Sequence, residues 1–155
     1  DAAARGLGNV TFLPMQPKEM MPRVWSLCDV ALVHLKDSPV FAGVIPSKIF
    51  EAMGMGLPIL LAAPEGEASR IVIDDGAGVH VAAEDPDALA DAVARLADDR
   101  AERDRLAAAS HAAAPRHGRD IQARHMIAVL EMAAAGKGAT VGLIPVPPDT
   151  AAGSI

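Results

Sequence analysis

The sequence predicts an α/β fold in which helices flank a parallel β-sheet. Two short stretches, residues 30–35 and 58–62, are almost entirely apolar and lack the polar alternation of a half-exposed strand. Such apolar runs are typical of strands that are buried on both faces of a parallel sheet. Stretches with helical spacing separate and follow these runs, and strands that alternate with helices form right-handed βαβ units.

The first part of the chain predicts one strand and one helix. The residues from Asn9 to Leu13 are mainly apolar and end at Pro14, so we expect a short strand there. Between Lys18 and Cys28 the apolar residues recur at intervals of three and four, which predicts an amphipathic helix. The chain begins at Asp1 rather than Met, and its first residues read like the end of a helix. We therefore expect the C-terminal part of a longer protein.

The stretch from Val40 to Leu60 predicts a loop, a short helix and then the second apolar strand. Pro46 disfavours helical geometry at Ile45 and suits the first helical position, so the helix should begin at Pro46 or Ser47. The Gly-Met-Gly sequence that follows the helix marks its end. The loop before the helix lies at the carboxyl ends of the strands, where ligands bind in sheets of this kind.

The start of this helix, with Lys48 in its first turn, predicts an anion-binding site. A helix N-terminus carries partial positive charge and several N–H groups without helical partners. Lys48 adds a full charge in the first turn, which the helix dipole disfavours unless an anion binds there. Simpler interpretations remain open, with Lys48 as a surface cation, Ser47 as an N-cap and Glu51 as a solvated helix residue.

The C-terminal half predicts four helices and one more short strand, which complete a Rossmann-like sheet. In chain order these are a helix at Glu65–Asp75, a strand at Val79–Ala82, a helix that begins at Asp85-Pro86-Asp87 and buries Leu89, Val93 and Leu96, and helices at Ala101–Ala113 and Arg119–Ala134. The predicted organisation is one partial Rossmann-like domain over residues 1–135 and a disordered tail over residues 136–155.

Composition and charge argue against several classes of function. The chain of 155 residues has a net charge of −6, one Trp, three Phe and no Tyr, so it offers little for nucleic-acid binding. No apolar run approaches the roughly 20 residues of a membrane span, and no signal peptide is evident, so we expect a cytoplasmic protein. The single cysteine, Cys28, is expected to be a buried apolar residue in a reducing compartment.

The remaining titratable residues predict no further site. The five histidines show no ligand spacing, so no metal site is expected, and His34 and His80 should lie in core strands. The pairs Asp74-Asp75 and Asp98-Asp99 fall at predicted helix ends and are expected to be solvated.

Several motifs together resemble one known family. They are Asp29 with its apolar strand, Pro46-Ser47-Lys48-Ile49-Phe50-Glu51-Ala52-Met53 with Gly56-Leu57-Pro58, Gly66-Glu67, and Gly76-Ala77-Gly78 before Asp85-Pro86. From about Leu7 to Met132 the chain resembles the C-terminal, nucleotide-sugar-binding half of retaining family-four glycosyltransferases of the GT-B fold. It is similar to the subgroup that builds bacterial surface polysaccharides, often from UDP-linked N-acetyl sugars.

The resemblance implies roles for the residues of the central loop and helix. Glu51 matches the second of two glutamates in the family, which holds the ribose hydroxyls of the donor nucleotide. The first glutamate falls at Gly43, which has no side chain, so the contact with the sugar departs from the general motif. The backbone N–H groups around Val44 and Ile45, with Ser47, would face the diphosphate or the sugar.

The resemblance also implies an activity for the full-length protein. We expect transfer of a hexosyl or N-acetylhexosaminyl group from a nucleoside-diphosphate sugar, with UDP as the expected nucleotide, to a glycan or lipid-linked acceptor. The acceptor would bind through an N-terminal domain that this chain lacks, as would the family's upstream Arg and Lys for the diphosphate. No catalytic residue and no cofactor beyond the donor substrate is therefore expected in this chain, which alone should be inactive.

Peripheral contact with the inner face of the membrane forms part of this hypothesis. The alternatives are a non-transferase nucleotide-binding module and part of a GT-B-like nucleotide-sugar epimerase.

Overall fold

A three-stranded parallel sheet forms the centre of the protein. The computed structural model describes residue 2 and residues 4–135 of the chain. Strands β1 (Ala31–His34), β2 (Ile59–Ala62) and β3 (Gly78–Val81) lie side by side in the order β1-β2-β3. Both neighbouring pairs are parallel, and helices form the crossovers. The predicted α/β fold with a helix-flanked parallel sheet is confirmed.

Seven α-helices accompany the sheet in the described part of the chain. They are α1 (Met21–Trp25), α2 (Pro39–Ala42), α3 (Ser47–Gly54), α4 (Glu67–Asp74), α5 (Pro86–Asp98), α6 (Arg100–Ala113) and α7 (Arg119–Ala134). Short 3-10 segments, Lys18–Met20 and Ala114–His117, precede α1 and follow α6.

The core has two parts, one on each face of the sheet. On one face, α3 and α4 bury Ile49, Met53 and Val72 against β1 and β2, and each of these side chains is fully enclosed. On the other face, α5 and α6 bury Leu96 and Leu106 against Leu60 of β2. Full burial of such a side chain contributes about 1.5–3 kcal/mol, so β2, which is buried on both faces, is the best-stabilised strand.

The predicted strand from Asn9 to Leu13 is wrong. These residues form no regular element, and Phe12 and Leu13 are 80% and 58% exposed. Within the described residues β1 pairs with β2 alone, so no ladder extends toward this segment. A strand without a hydrogen-bonded neighbour is not stable in water, whatever its apolar content. The predicted helix between Lys18 and Cys28 is also shorter than expected, since regular α-helix ends at Trp25.

Strand β1 is buried on one face only, contrary to the prediction. Ala31 and Val33 point into the core under α3, whereas Leu32 and His34 point to the other face and are exposed. On that face α5 packs on β2 and β3. The prediction that His34 lies in a core strand is therefore wrong. Its side chain is exposed because β1 is an edge strand of the sheet that the described residues form. His80 in β3 is half-buried, and its Nε2 atom lies 2.8 Å from the Ala63 carbonyl oxygen.

The C-terminal helices form where the sequence predicts them, but they bury fewer residues. In α5, Leu96 is buried and Leu89 is half-buried, whereas Val93 is half exposed because Ala92 takes the inward position. Helix α7 has no buried residue, since it packs on the 114–117 segment rather than on the sheet. The predicted disordered tail lies outside the described residues. No described helix combines the length and the apolar character that a membrane span requires.

Candidate functional site

The central loop and the start of α3 lie after the carboxyl end of β1. Pro46 is the N-cap of α3, with extended backbone angles of φ −66° and ψ 130°, and the first helical residue is Ser47. The predicted helix start is confirmed. No side chain caps this helix, so Ser47 is not its N-cap. The short helix α2 between β1 and this loop was not predicted, because its four residues carry no periodic pattern.

Helix α3 is fixed in the fold at its apolar face and at its C-terminal end. Ile49, Ala52 and Met53 are fully buried. After the helix, Gly56 adopts a φ of +65°, a conformation that a side chain disfavours, and the N–H of Leu57 donates to the Ala52 carbonyl at 3.0 Å. The polar residues of the first turns are therefore presented from a rigid base.

Glu51 lies on the exposed side of α3, where two donors hold its carboxylate. The Ser47 hydroxyl donates to one carboxylate oxygen at 3.2 Å, and the indole N–H of Trp25 in α1 donates to the other at 3.4 Å. A carboxylate oxygen has two acceptor positions, so each oxygen can still accept a hydrogen bond from a ligand. Glu51 is thus oriented and accessible at once, rather than simply solvated.

Trp25 was not anticipated as part of this site. It lies 26 residues before Glu51, and the sequence pattern assigned it no role. The one sequence signal that points to it is that it is the single Trp of the chain, whose N–H usually finds a partner when the ring is partly buried.

Lys48 is exposed beside the N-terminus of α3. Among the ion pairs formed by the described residues, none includes Lys48. Its charge is therefore not neutralised by a carboxylate of the described chain, at a position where the helix dipole also disfavours a cation. An anionic ligand would relieve both effects.

The loop residues predicted to face the donor lie directly before α3. Gly43 is exposed, and a Cβ atom placed on it would have open space around it. Val44 is half-buried, and its N–H donates to the Phe41 carbonyl at 3.1 Å, so a ligand at this N–H would compete with that bond. Ile45 is 40% exposed. The structure brings these three residues together with Ser47, Lys48 and Glu51 in one continuous loop and helix start.

A second loop reaches the same edge of the sheet. Gly66, between β2 and α4, packs directly against the backbone of Ala42, the last residue of α2. The loop that follows β1 and the loop that follows β2 are therefore in contact.

A separate cleft of about 490 Å³ opens beside the carboxyl ends of β1 and β2. His34, Lys36, Glu84 and Asp85 line it together with apolar residues, and none of the residues from Gly43 to Glu51 does. Asp85 caps α5 by accepting from the Ala88 N–H at 2.9 Å, so it already has a structural role. Glu84 has a φ of 58°, in the left-handed region that the turn into α5 requires.

Asp75 is not solvated, contrary to the prediction. Its carboxylate accepts from Arg116 at 2.5 Å and from the His117 Nε2 at 2.6 Å, and the His117 ring stacks on Phe50 of α3 at 5.1 Å. Burial raises the pKa of Asp75, but the hydrogen bonds from Arg116 and His117 outweigh this effect and hold its pKa below the ordinary value of 3.8. This cluster ties α4 and the 114–117 segment to α3.

The other predictions on acidic, cysteine and metal-ligating residues have mixed outcomes. Asp99 caps α6 through the Glu102 N–H at 2.8 Å, although it remains exposed. Cys28 is half-buried and packs against the core with a free thiol. In the part of the chain that the structure describes, no three His, Cys, Asp or Glu residues are grouped as metal ligands would be.

Comparison with known proteins places this arrangement in a family. None of the curated proteins compared with this chain matches it significantly. Among solved structures, the chain is similar to the sucrose-phosphate synthase from Thermosynechococcus elongatus, with a TM-score of 0.68 and 23% sequence identity. That similarity covers 87% of this chain and 33% of the other, so the chain spans about a third of that protein, and it shows a shared fold. Residues 1–112 match the family of glycosyl transferases, group 1. Since this match covers well over half of the chain, including the loop, α3 and α4, the protein belongs to the group 1 glycosyl transferases.

Proposed function

We propose that the full-length protein is a retaining glycosyltransferase and that this chain binds its donor, a UDP-linked N-acetyl sugar. The observation that carries the proposal is the arrangement of Glu51, whose carboxylate is oriented by Ser47 and Trp25 and remains accessible. In this proposal the ribose hydroxyls of the donor donate to Glu51. Charge-assisted hydrogen bonds of this kind are short and strong, which makes them suitable for holding a nucleotide.

The leaving diphosphate would lie near the start of α3. Departure of a nucleoside diphosphate leaves negative charge on the phosphate oxygens, and preorganised positive groups stabilise that charge in the transition state. The exposed Lys48 and the N–H groups of the first turn supply such groups without a side-chain cap in competition. The loop residues Gly43, Val44 and Ile45 would contact the diphosphate or the sugar.

The acceptor in this proposal is a glycan or a lipid-linked sugar of a bacterial surface polysaccharide. It would be bound by a second domain, since the described residues present no arranged acid, base or acceptor clamp beside Glu51. The enzyme would work in the cytoplasm, with peripheral contact at the inner face of the membrane where lipid-linked acceptors are available.

The test is an assay of the full-length protein with a panel of UDP-sugars and lipid-linked acceptors. The expected result is release of UDP together with a glycosylated product in which NMR shows the same anomeric configuration as in the donor. A protein that binds no UDP-sugar would contradict the proposal. A protein that isomerises the sugar without an acceptor would instead be an epimerase.

A further inference from the structure

The loops that follow β1 and β2 meet in a close backbone contact between Gly66 and Ala42, and neither residue is among the proposed donor-binding residues. A Cβ atom on Gly66 would lie 2.8 Å from the Ala42 carbonyl carbon and 3.1 Å from its Cα, and nearer still to the carbonyl oxygen. Real Cβ atoms do not approach backbone so closely. The φ of Gly66 is 174°, an extended conformation that any residue adopts. Glycine is therefore required here for space and not for backbone conformation.

Gly66 is held firmly on its own side of this contact. The Ser69 hydroxyl accepts from the Gly66 N–H at 2.9 Å and donates to the Gly66 carbonyl at 3.0 Å. The Arg70 N–H donates to the same carbonyl at 3.1 Å. Ser69 is buried, and so is its neighbour Ala68, so α4 anchors this loop in the core.

Ala42 lies in the less firmly packed of the two segments that meet at this contact. Helix α2, which ends at Ala42, has four residues and none of them is buried, and Gly43 after it is exposed. Helix α3 begins only four residues later and is fixed by Ile49, Ala52 and Met53. A group inserted between Gly66 and Ala42 would therefore displace residues 39–46 and leave α3 in place.

We propose that Gly66 is a positioning residue that sets the place of the 39–46 loop relative to α3 through its direct backbone contact with Ala42. This inference rests on the proposed function, in which the loop faces the diphosphate or sugar and Glu51 on α3 holds the ribose. A displaced loop should then weaken contacts to the diphosphate while the ribose contact persists. This selective loss distinguishes positioning from a general structural role.

The experiment compares Gly66→Ala with wild type in the full-length protein. The first readout is hydrogen exchange of the backbone amides of residues 41–45, which include the Val44 N–H bonded to Phe41. The second is calorimetric titration with UDP and with uridine. The matched control is Gly54→Ala, an exposed glycine of α3 around which a Cβ would meet no atom within 4 Å.

The expected result for Gly66→Ala is faster exchange at residues 41–45 and a loss of UDP affinity of about tenfold or more, as for a methyl group forced into occupied space. Uridine should lose less than about threefold, and Gly54→Ala should match wild type in both readouts. Unchanged exchange, unchanged UDP affinity, or an equal loss for UDP and uridine would each overturn the inference.

Two further outcomes remain decisive. If the Gly66→Ala protein does not fold, Ser69→Ala replaces it, since it removes the two hydrogen bonds between the Ser69 hydroxyl and Gly66 and leaves only the one from the Arg70 N–H. Faster loop exchange is expected there, and unchanged exchange overturns the inference. If wild type binds neither UDP nor uridine, the proposed function fails, while the exchange measurement still decides whether Gly66 positions the loop.

Discussion

The substitution Glu51→Gln should weaken nucleotide binding at the proposed donor site and change the stability of the fold only slightly. In the folded protein the Glu51 carboxylate accepts two hydrogen bonds, at 3.2 Å from Ser47 and at 3.4 Å from Trp25, and both are solvent-exposed. Although the acceptor is charged, both bonds are long and exposed to solvent, so each should contribute only near the lower end of the about 0.5–1.5 kcal/mol of a typical hydrogen bond. Gln retains an acceptor oxygen and nearly the same shape, so the melting temperature should change by only a few degrees.

The effect on the nucleotide should be much larger. Hydrogen bonds to a charged group contribute about 1.5–3 kcal/mol, which corresponds to about a 10- to 150-fold rise in the Kd for UDP. Calorimetric titration of the full-length protein with UDP measures this change directly. Glu131→Gln on α7 is the control, because Glu131 is also an exposed helix carboxylate but belongs to a helix that has no buried residue and is not part of the proposed donor site.

One result would refute the assignment of Glu51 as the ligand of the ribose. A Glu51→Gln protein with the wild-type melting temperature and the wild-type Kd for UDP would show that this carboxylate does not hold the nucleotide. An intermediate variant, Trp25→Phe, removes the indole N–H and keeps an aromatic ring, and it should weaken UDP binding by about threefold through loss of orientation alone.

Three further predictions follow from the same structure. Lys48→Ala should weaken UDP about tenfold and uridine little, because in the proposed function the Lys48 charge, which no carboxylate of the described chain neutralises, would face the diphosphate; equal losses in parallel titrations would make Lys48 structural. Asp75→Asn should lower the free energy of unfolding at neutral pH by about 1–3 kcal/mol in denaturant titrations. Because the folded pKa of Asp75 lies below 3.8, its contribution is complete above that pH and is lost as the pH falls through the folded value, so wild type and variant should converge in acid; a difference independent of pH would contradict this linkage. Residues 1–135 alone should transfer no sugar, since in the proposed function a second domain binds the acceptor and excludes water from the donor; turnover near the full-length rate would overturn that expectation.

Elements determined by adjacent residues could be predicted closely. The starts of α3 at Pro46 and of α5 at Asp85 follow from proline geometry and from a capping carboxylate within three residues of the N–H it accepts from. The apolar runs at 30–35 and 58–62 became β1 and β2 because such runs have few other stable environments. Family resemblance added the site residues from Gly43 to Glu51, which lie within nine positions of one another.

Which residues are buried, and which distant elements contact one another, could be determined only from the tertiary structure. The apolar segment at 9–13 has the composition of a strand, yet it lacks a neighbouring ladder, and Leu32 has the composition of a core residue, yet it lies on an open face of an edge strand. The local sequence pattern indicates which secondary structure a segment prefers, whereas the burial of that segment depends on which distant element covers it.

The sequence by itself determined the α/β class, the order of helices and strands after residue 30 apart from the short helix α2, and the polar residues at the start of α3. Only the tertiary structure decided that Trp25 orients Glu51, that His117 joins Asp75 to Phe50, and that Gly66 supports Ala42. The physical reason is distance along the chain. Caps, turns and periodicity act over three or four residues, whereas these contacts join residues 24 to 67 positions apart, and they exist only once the sheet has brought its crossovers together.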